Sequence, residues 1–172
     1  MGDLRNVLNT ASSNFDLILT SGGVSMGEWD LVRKIMEEEG DIHFWRIKLR
    51  PGSPPLFGLW KDTPIFGLPG NPVSSHVVFR MLVAPWIRNT TSAKGPSEHK
   101  VLAELGTNVK STKDSLTLRR VSIELGESGL IAHQKIHQGS GNLASVAFSE
   151  GFAILQPKHK YSIGDTVEVL LI

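Results

Sequence analysis

Three short segments of this chain concentrate residues suited to holding an anion. The first, Thr20-Ser21-Gly22-Gly23-Val24-Ser25-Met26-Gly27, lies between an apolar run and a helical pattern. At such a place unpaired N–H groups and the positive end of the helix dipole can receive an anion, and glycines let the backbone approach it. A phosphate suits that chemistry. The segment is neither G-x-G-x-x-G nor a Walker sequence, so a tight strand-to-helix connection is the alternative reading. Asp30 follows in what reads as the first turn of the helix. A carboxylate there either interacts favourably with the dipole or holds Mg²⁺ beside a bound phosphate, since that ion prefers hard oxygen ligands.

The second segment, Gly67-Leu68-Pro69-Gly70-Asn71-Pro72-Val73-Ser74-Ser75, is another strand-to-helix turn, with a preset helix start and hydroxyls in the first turn. Two such turns in one sheet face one crevice, the usual ligand position in α/β folds. The third, Arg50-Pro51-Gly52-Ser53-Pro54, is stiff and carries a permanently charged donor fork suited to oxyanions. Arg119 and Arg120 interrupt an alternating pattern, which implies either a bulge that re-aims one guanidinium or a simple strand end. Other candidates are weaker. His133 and His137 sit on a segment read as strand, where a spacing of four does not make a metal site. Glu37-Glu38-Glu39 reads as a solvated helix end. Trp29, Trp45, Trp60 and Trp86 are too dispersed for a stacking platform and read as core or core rim.

These segments need particular elements around them. Phe15 to Thr20 reads as a buried strand. Ser25 and Glu28 have capping-box spacing, Leu31, Val32, Ile35 and Met36 share a helical face, and Gly40 fits the residue past its end. Ile42 to Leu49 and Pro64 to Leu68 read as further strands, with Pro54-Pro55-Leu56-Phe57-Gly58 as an extended or edge segment. Asn71-Pro72 starts a second helix with Val73, Val77, Val78, Met81 and Leu82 as its apolar stripe, and Pro85 should kink or end it. After a polar stretch around Thr90 to Glu98 the period turns towards two, at Leu116 and Leu118, then Val121, Ile123 and Leu125, then Val167, Val169 and Leu171.

The 172 residues carry 18 Lys and Arg against 17 Asp and Glu, no Cys, 40% hydrophobic and 20% charged residues. This is the profile of a soluble globular protein with one or two domains. Without cysteine there is no disulfide scaffold, thiolate metal site or Cys nucleophile. A net charge of +1 gives no broad field for nucleic acid and no polybasic membrane anchor, so an anion must be held locally. Neither a signal pattern nor a membrane-length apolar run is visible, and a cytosolic (cytoplasmic) location is expected.

The succession SGGVSMGEWDLV, RPGSPPLFG and GLPGNPVSS, followed by QGSGNLAS and a terminal GDTVEVLL, resembles the C-terminal half of the molybdopterin molybdotransferase (MoeA) family, which includes the gephyrin E domain. The resemblance spans almost the whole chain in order. It implies an α/β fold: a partial MogA-like, molybdopterin-binding three-layer domain over residues 1–91, a linker at 92–98, and a small all-β, barrel-like domain over 99–172. It implies insertion of molybdate into adenylated molybdopterin with release of AMP, and a requirement for Mg²⁺.

By motif, Ser21, Gly22, Gly23 and Ser25, with Gly27 in the same turn, are the candidates to cradle the pterin phosphate region. Asp30 would hold the metal. Arg50, Pro51, Gly52, Ser53 and Pro54, together with Ser74, one of Arg119 or Arg120, and Ser145, would line the molybdate pocket. Gly70, Asn71, Pro72 and Ser75 complete the candidate binding set. Molybdate is a tetrahedral dianion that hydroxyls, N–H groups and a guanidinium can cage without a thiolate. Where the family commonly has K-P-G-K-P, this chain has Arg50-Pro51-Gly52-Ser53-Pro54, exchanging one cation and losing the other. Family members also carry two further N-terminal domains and an opening strand. The sheet is therefore expected to have an open edge, and the chain to form a homo-oligomer or associate with another chain of the pathway. Two alternatives remain: a non-catalytic molybdopterin-binding or partner-docking fragment, and an unrelated phosphate-binding enzyme on a similar frame.

Overall fold

Helix α1, Gly2–Asn14, buries Leu8, and strand β1, Ile18–Ser21, follows after a short extended stretch. Helix α2, Leu31–Glu39, buries Val32, Ile35 and Met36, the face its spacing predicts. It starts later than the capping-box reading. Ser25 to Trp29 form bends and turns, and Asp30 stands at the N-cap, where it makes no side-chain cap bond. Gly40 does occupy the C-cap, but in extended conformation with φ −98°. An added Cβ there would lie 2.6 Å from Met36 Cε, so the end of that methionine would have to shift to admit a side chain.

Strand β2, Asp41–Trp45, ends well short of the expected Leu49 because Arg46 takes a left-handed φ of 69°. The two-residue strand β3, Leu49–Arg50, then joins a different sheet. Strands β4, Leu56–Trp60, and β5, Thr63–Leu68, form a hairpin across Lys61 and Asp62, both at positive φ. The sheet order is β1-β5-β4-β2, with β1 parallel to β5 and the other pairs antiparallel. The segment read as an edge thus lies inside the sheet: Pro54 and Pro55 precede the ladder, so their missing N–H groups cost it nothing. Leu56, Trp60, Ile65 and Ile18 pack beneath Leu8, Val32, Ile35 and Met36. The Trp60 indole N–H donates to the Asn9 side-chain oxygen at 3.0 Å, so a buried ring has its polar edge satisfied.

Helix α3, Pro72–Val78, has Asn71 as N-cap and Pro72 at its first position, and packs on β5. It continues through a π-helical turn, Phe79–Val83, into α4, Ala84–Thr90. Pro85 therefore does not end the helical run. The wider turn just before it accommodates a residue that cannot donate a hydrogen bond.

The structure, a computed structural model, describes residues 1–95, 98–134, 137–157 and 159–172. These divide into one unit of residues 1–47 with 52–83 and a second of 48–51 with 84–172. Pro96 and Ser97, inside the expected linker, lie outside the described residues.

The second unit is built from β6, Lys100–Leu105; β7, Val109–Lys110; β8, Leu116–Leu125; β9, Leu130–His133; a short helix α5, Ala144–Ala147; and β10, Gly151–Leu155; β11, Lys160–Tyr161; and β12, Thr166–Leu171. The order β10-β12-β6-β9-β8 closes through β8–β10 pairing into a ring, with β3 added parallel to β8. Ala103, Leu105, Val121, Ala132, Ala153, Leu155, Val167 and Val169 fill its interior. No bulge occurs at Arg119-Arg120, since β8 runs in unbroken register against β10 from Thr117 to Val121. The apolar pattern changes phase there because the middle of β8 is buried on both faces: Val121 points into the ring while Leu118 and Arg120 are buried on the other side.

Candidate functional site

Parallel strands β1 and β5 end at the same level, with Ser21 opposite Leu68, so the turns that leave them are neighbours. Gly22 and Gly23 take φ of 83° and 71°, values that L side chains rarely adopt. The Gly22 N–H donates to the Leu68 carbonyl at 2.9 Å, tying the turns together. An added Cβ on Gly70 would lie 3.6 Å from the Gly22 Cα, so the two backbones meet with little between them. Beside them opens a cleft of about 300 Å³ lined by Gly22, Gly23, Val24, Ser25, Asp30, Pro54, Pro69, Gly70 and Asn71.

Seven expected site residues therefore share one cleft, namely Gly22, Gly23, Ser25, Asp30, Pro54, Gly70 and Asn71. Ser21 ends β1 at its rim, and Gly27 belongs to the turn that carries Asp30. The Asp30 carboxylate accepts the Gly27 N–H at 2.6 Å. Pro72 begins α3, Ser74 is buried on it, and the Ser75 hydroxyl donates to the Pro69 carbonyl, closing the second turn. Ser53 spends its hydroxyl on the Ile47 carbonyl at 3.2 Å, and Gly52 has φ 116°. Val24 and Pro69 were not foreseen as walls. Nor was Gly67, the residue beneath them, where an added Cβ would lie 2.5 Å from Val24 Cγ1. A glycine inside a strand was the available signal for this close approach.

In the second unit Arg50, in cis linkage to Pro51, pairs with Thr117 along β3 and β8. Alternation puts Arg119 and Arg120 on opposite faces of β8. Arg119 donates to the Lys110 carbonyl at 3.0 Å. Arg120, only 1% exposed, donates from Nη2 to the carbonyls of His137 at 3.1 Å and Gly139 at 3.2 Å. The Gly139 carbonyl also accepts the Asn142 N–H at 3.2 Å, and Asn142 in turn accepts the Ser145 N–H on its side-chain oxygen at 3.2 Å. Arg120 is thus the arginine linked to Ser145, through the Gln138–Ser145 motif. Burial lowers the pKa of both guanidinium groups, and for Arg120 the charge of Arg119 adds to it.

His133 pairs with Glu124 at 2.7 Å, and His137 accepts the Gly139 N–H on its ring at 3.2 Å. No group of three His, Asp or Glu poised for a metal occurs among the described residues. Mg²⁺, however, is commonly held by one or two carboxylates together with ligand phosphates. Asp30 fits that mode, because one oxygen fixes the turn and the other is left for a cation. Trp29 is not core: it is 85% exposed, in the turn between Gly27 and Asp30. No helix among the described residues is long and apolar enough to cross a membrane.

An open cleft where two parallel strands end, in a chain that also folds a closed β ring, defines an α/β protein with a barrel-like β unit. A family model described as a probable molybdopterin binding domain matches residues 2–89, and the MoeA C-terminal region (domain IV) matches residues 103–172. The chain belongs to the MoeA/gephyrin family of molybdenum cofactor biosynthesis. It is 36% identical over 164 residues to the molybdopterin molybdenumtransferase of Haemophilus influenzae, covering 92% of this chain and 40% of that protein. It is 38% identical over 102 residues to gephyrin of Dictyostelium discoideum, covering 50% of this chain and 14% of that protein. A solved molybdopterin biosynthesis moea protein from Pyrococcus horikosii superposes with a TM-score of 0.79 at 30% identity, covering 98% of this chain and 40% of that one. The chain spans about two fifths of the length of the molybdenumtransferase it matches.

Proposed function

We propose that this chain carries the molybdopterin-binding part of a molybdotransferase, which inserts molybdate into adenylated molybdopterin and releases AMP. The meeting of the two glycine turns at Gly22 and Gly70 carries this reading, since it leaves backbone N–H groups beside an open cleft with one carboxylate at its edge. Gly23 and Ser25 bind the phosphate region through main-chain N–H groups and a hydroxyl, while Gly22, its N–H given to the Leu68 carbonyl, holds the turn against β5. Asn71 and Gly70 wall the opposite side. Asp30 would hold Mg²⁺, whose charge would offset that of the phosphate oxygens. The residues themselves contribute binding and orientation, the larger share of catalysis when no side chain reacts covalently. Within the second unit, Arg50, Arg120 and Ser145 are proposed for the oxyanion, whose donors they match in type.

A second reading, a non-catalytic molybdopterin-binding or partner-docking segment, draws support from Ser53. Its hydroxyl is engaged by Ile47, at a position where the family pattern has a lysine. The test is molybdopterin titration of the folded chain, read by quenching of the exposed Trp29 and repeated with Mg²⁺ and molybdate. Saturable binding strengthened by both additions supports the transferase reading; binding indifferent to them supports the second. Absence of binding by a chain with native circular dichroism counts against both.

We further propose self-association through β1. Among the described residues its only strand partner is β5, and Leu19 on it is 44% exposed. Sedimentation should give a mass above one protomer, lowered by Leu19→Lys. A single-protomer mass at high concentration counts against it.

A further inference from the structure

Among the described residues, strands β7 and β11 pair only with each other and form a separate two-stranded ribbon in the second unit. Val109 and Tyr161 stand opposite each other in it and turn towards the ring, Val109 buried and Tyr161 packed against its core. Strand alternation then sends the next opposed pair, Lys110 and Lys160, outwards together, and both are exposed. Like charges directly opposite each other destabilise an antiparallel pair, whereas a lysine facing a carboxylate would support it. The ribbon thus keeps a pairing that costs stability.

Further positive charge is tied to the same ribbon. Arg119 donates from Nη2 to the Lys110 carbonyl at 3.0 Å, which holds its guanidinium against β7, while its Nε is buried without a hydrogen-bond partner. None of Lys110, Arg119 and Lys160 has an ion-pair partner among the described residues, whereas Lys100 in the same unit has Glu98 at 3.2 Å. The backbone beneath the lysines is fixed. The Ser111 hydroxyl donates to the His159 carbonyl at 2.8 Å and accepts the His159 N–H at 3.1 Å, and the His159 and Tyr161 rings meet at 4.4 Å. The result is a firm platform of uncompensated positive charge. It is compact, it rests on two short strands, and the chain as a whole carries a net charge of only +1. Flexible lysine point charges in so small a patch suit a short run of carboxylates better than the long phosphate track of a nucleic acid.

We propose that the β7–β11 ribbon is a docking surface for an acidic, extended segment of a partner protein, recognised by Lys110, Lys160 and Arg119. The test is fluorescence polarisation of a labelled oligoglutamate peptide with the full chain at low salt, beside a single-stranded oligonucleotide of equal charge. The peptide should bind saturably, more tightly than the oligonucleotide, and release as salt is raised. Lys110→Glu should weaken peptide binding by at least about tenfold while Tm holds or rises, because it sets opposite charges across the ladder. Lys160→Glu repeats the test from the other strand. Lys100→Gln removes a charge that Glu98 already counters and should leave binding within about twofold of the wild type.

Absence of saturable peptide binding overturns the proposal, and so does tighter binding of the oligonucleotide. Equal losses in Lys110→Glu and Lys100→Gln would reduce the effect to net charge and count against the surface. Peptide binding that survives both glutamate substitutions would also overturn it. Self-association of a Lys110→Gln chain would identify the lysines as guards of an open strand edge, which replaces the docking role.

Discussion

The Asp30 carboxylate and the Gly27 N–H meet at 2.6 Å across a turn that is closed a second time by the Asp30 N–H on the Gly27 carbonyl at 3.2 Å. The candidate metal ligand thus has its direction set by the backbone it serves. Asp30→Asn keeps an acceptor for the Gly27 N–H and removes the charge. Mg²⁺-dependent strengthening of ligand binding should fall by about tenfold, while the urea midpoint stays within experimental scatter. An unfolded Asp30→Asn chain would show that the carboxylate serves the fold.

Gly67 supports the cleft from underneath. In Gly67→Ala the added methyl meets Val24 Cγ1 at 2.5 Å and Leu56 Cβ at 3.3 Å. Overpacking of this kind costs about 1–3 kcal/mol. Because Val24 accepts the Trp45 indole N–H, the displacement should also shift tryptophan emission. Urea unfolding followed by fluorescence reads both effects, and an unchanged midpoint with an unchanged spectrum would contradict the packing described.

Arg120 holds two carbonyls of the motif that ends at Ser145. Lysine has no planar fork, so Arg120→Lys should cost about 1–3 kcal/mol through a charge-assisted bond lost in a buried place. Amide exchange should accelerate at Gly139, Asn142 and Ser145 before it does elsewhere in the barrel. Uniform acceleration would mean that Arg120 supports the ring as a whole instead of this loop.

His76 on α3 has its pKa lowered below the ordinary imidazole range, first by burial and then by the charge of Arg80. The unfolded chain then binds the proton more readily than the folded one. Its contribution to stability is therefore fully present above about pH 6.5 and is lost as pH falls towards the lowered folded value. The urea midpoint should decline between pH 8 and pH 5, and His76→Gln should flatten that part of the profile. An equal decline in both proteins would assign the slope to other groups.

What could be read from sequence follows from how local each signal is. Both glycine turns and the helix starting at Pro72 are encoded in adjacent residues, and the cleft they form was anticipated as a convergence of two strand ends. The start of α2 was not, because Ser25 and Glu28 carry capping-box spacing but the chain spends those residues on a turn that aims Asp30. The split at Arg46 has no local signature, since nothing in Phe44-Trp45-Arg46-Ile47 marks a left-handed residue. It is imposed by the bonds to Pro55 and Ser53 across the chain. The phase change at Arg119-Arg120 misled for a related reason: burial on both faces of β8 is a property of the closed ring, invisible in one strand. Trp29 reads as core or core rim by its type, whereas it is 85% exposed in the turn between Gly27 and Asp30.

The barrel ring is closed by β12, which pairs with β10 on one side and β6 on the other. As the chain leaves the ribosome, β6 is made long before its partner, and its edge stays open through the whole interval between Leu105 and Thr166. Lys100 and Glu104, exposed on that strand, give the waiting edge charges that discourage pairing with a neighbouring nascent chain. In the finished ring Lys100 pairs with Glu98 at 3.2 Å, so a charge that guards the waiting edge goes on to serve the closed domain.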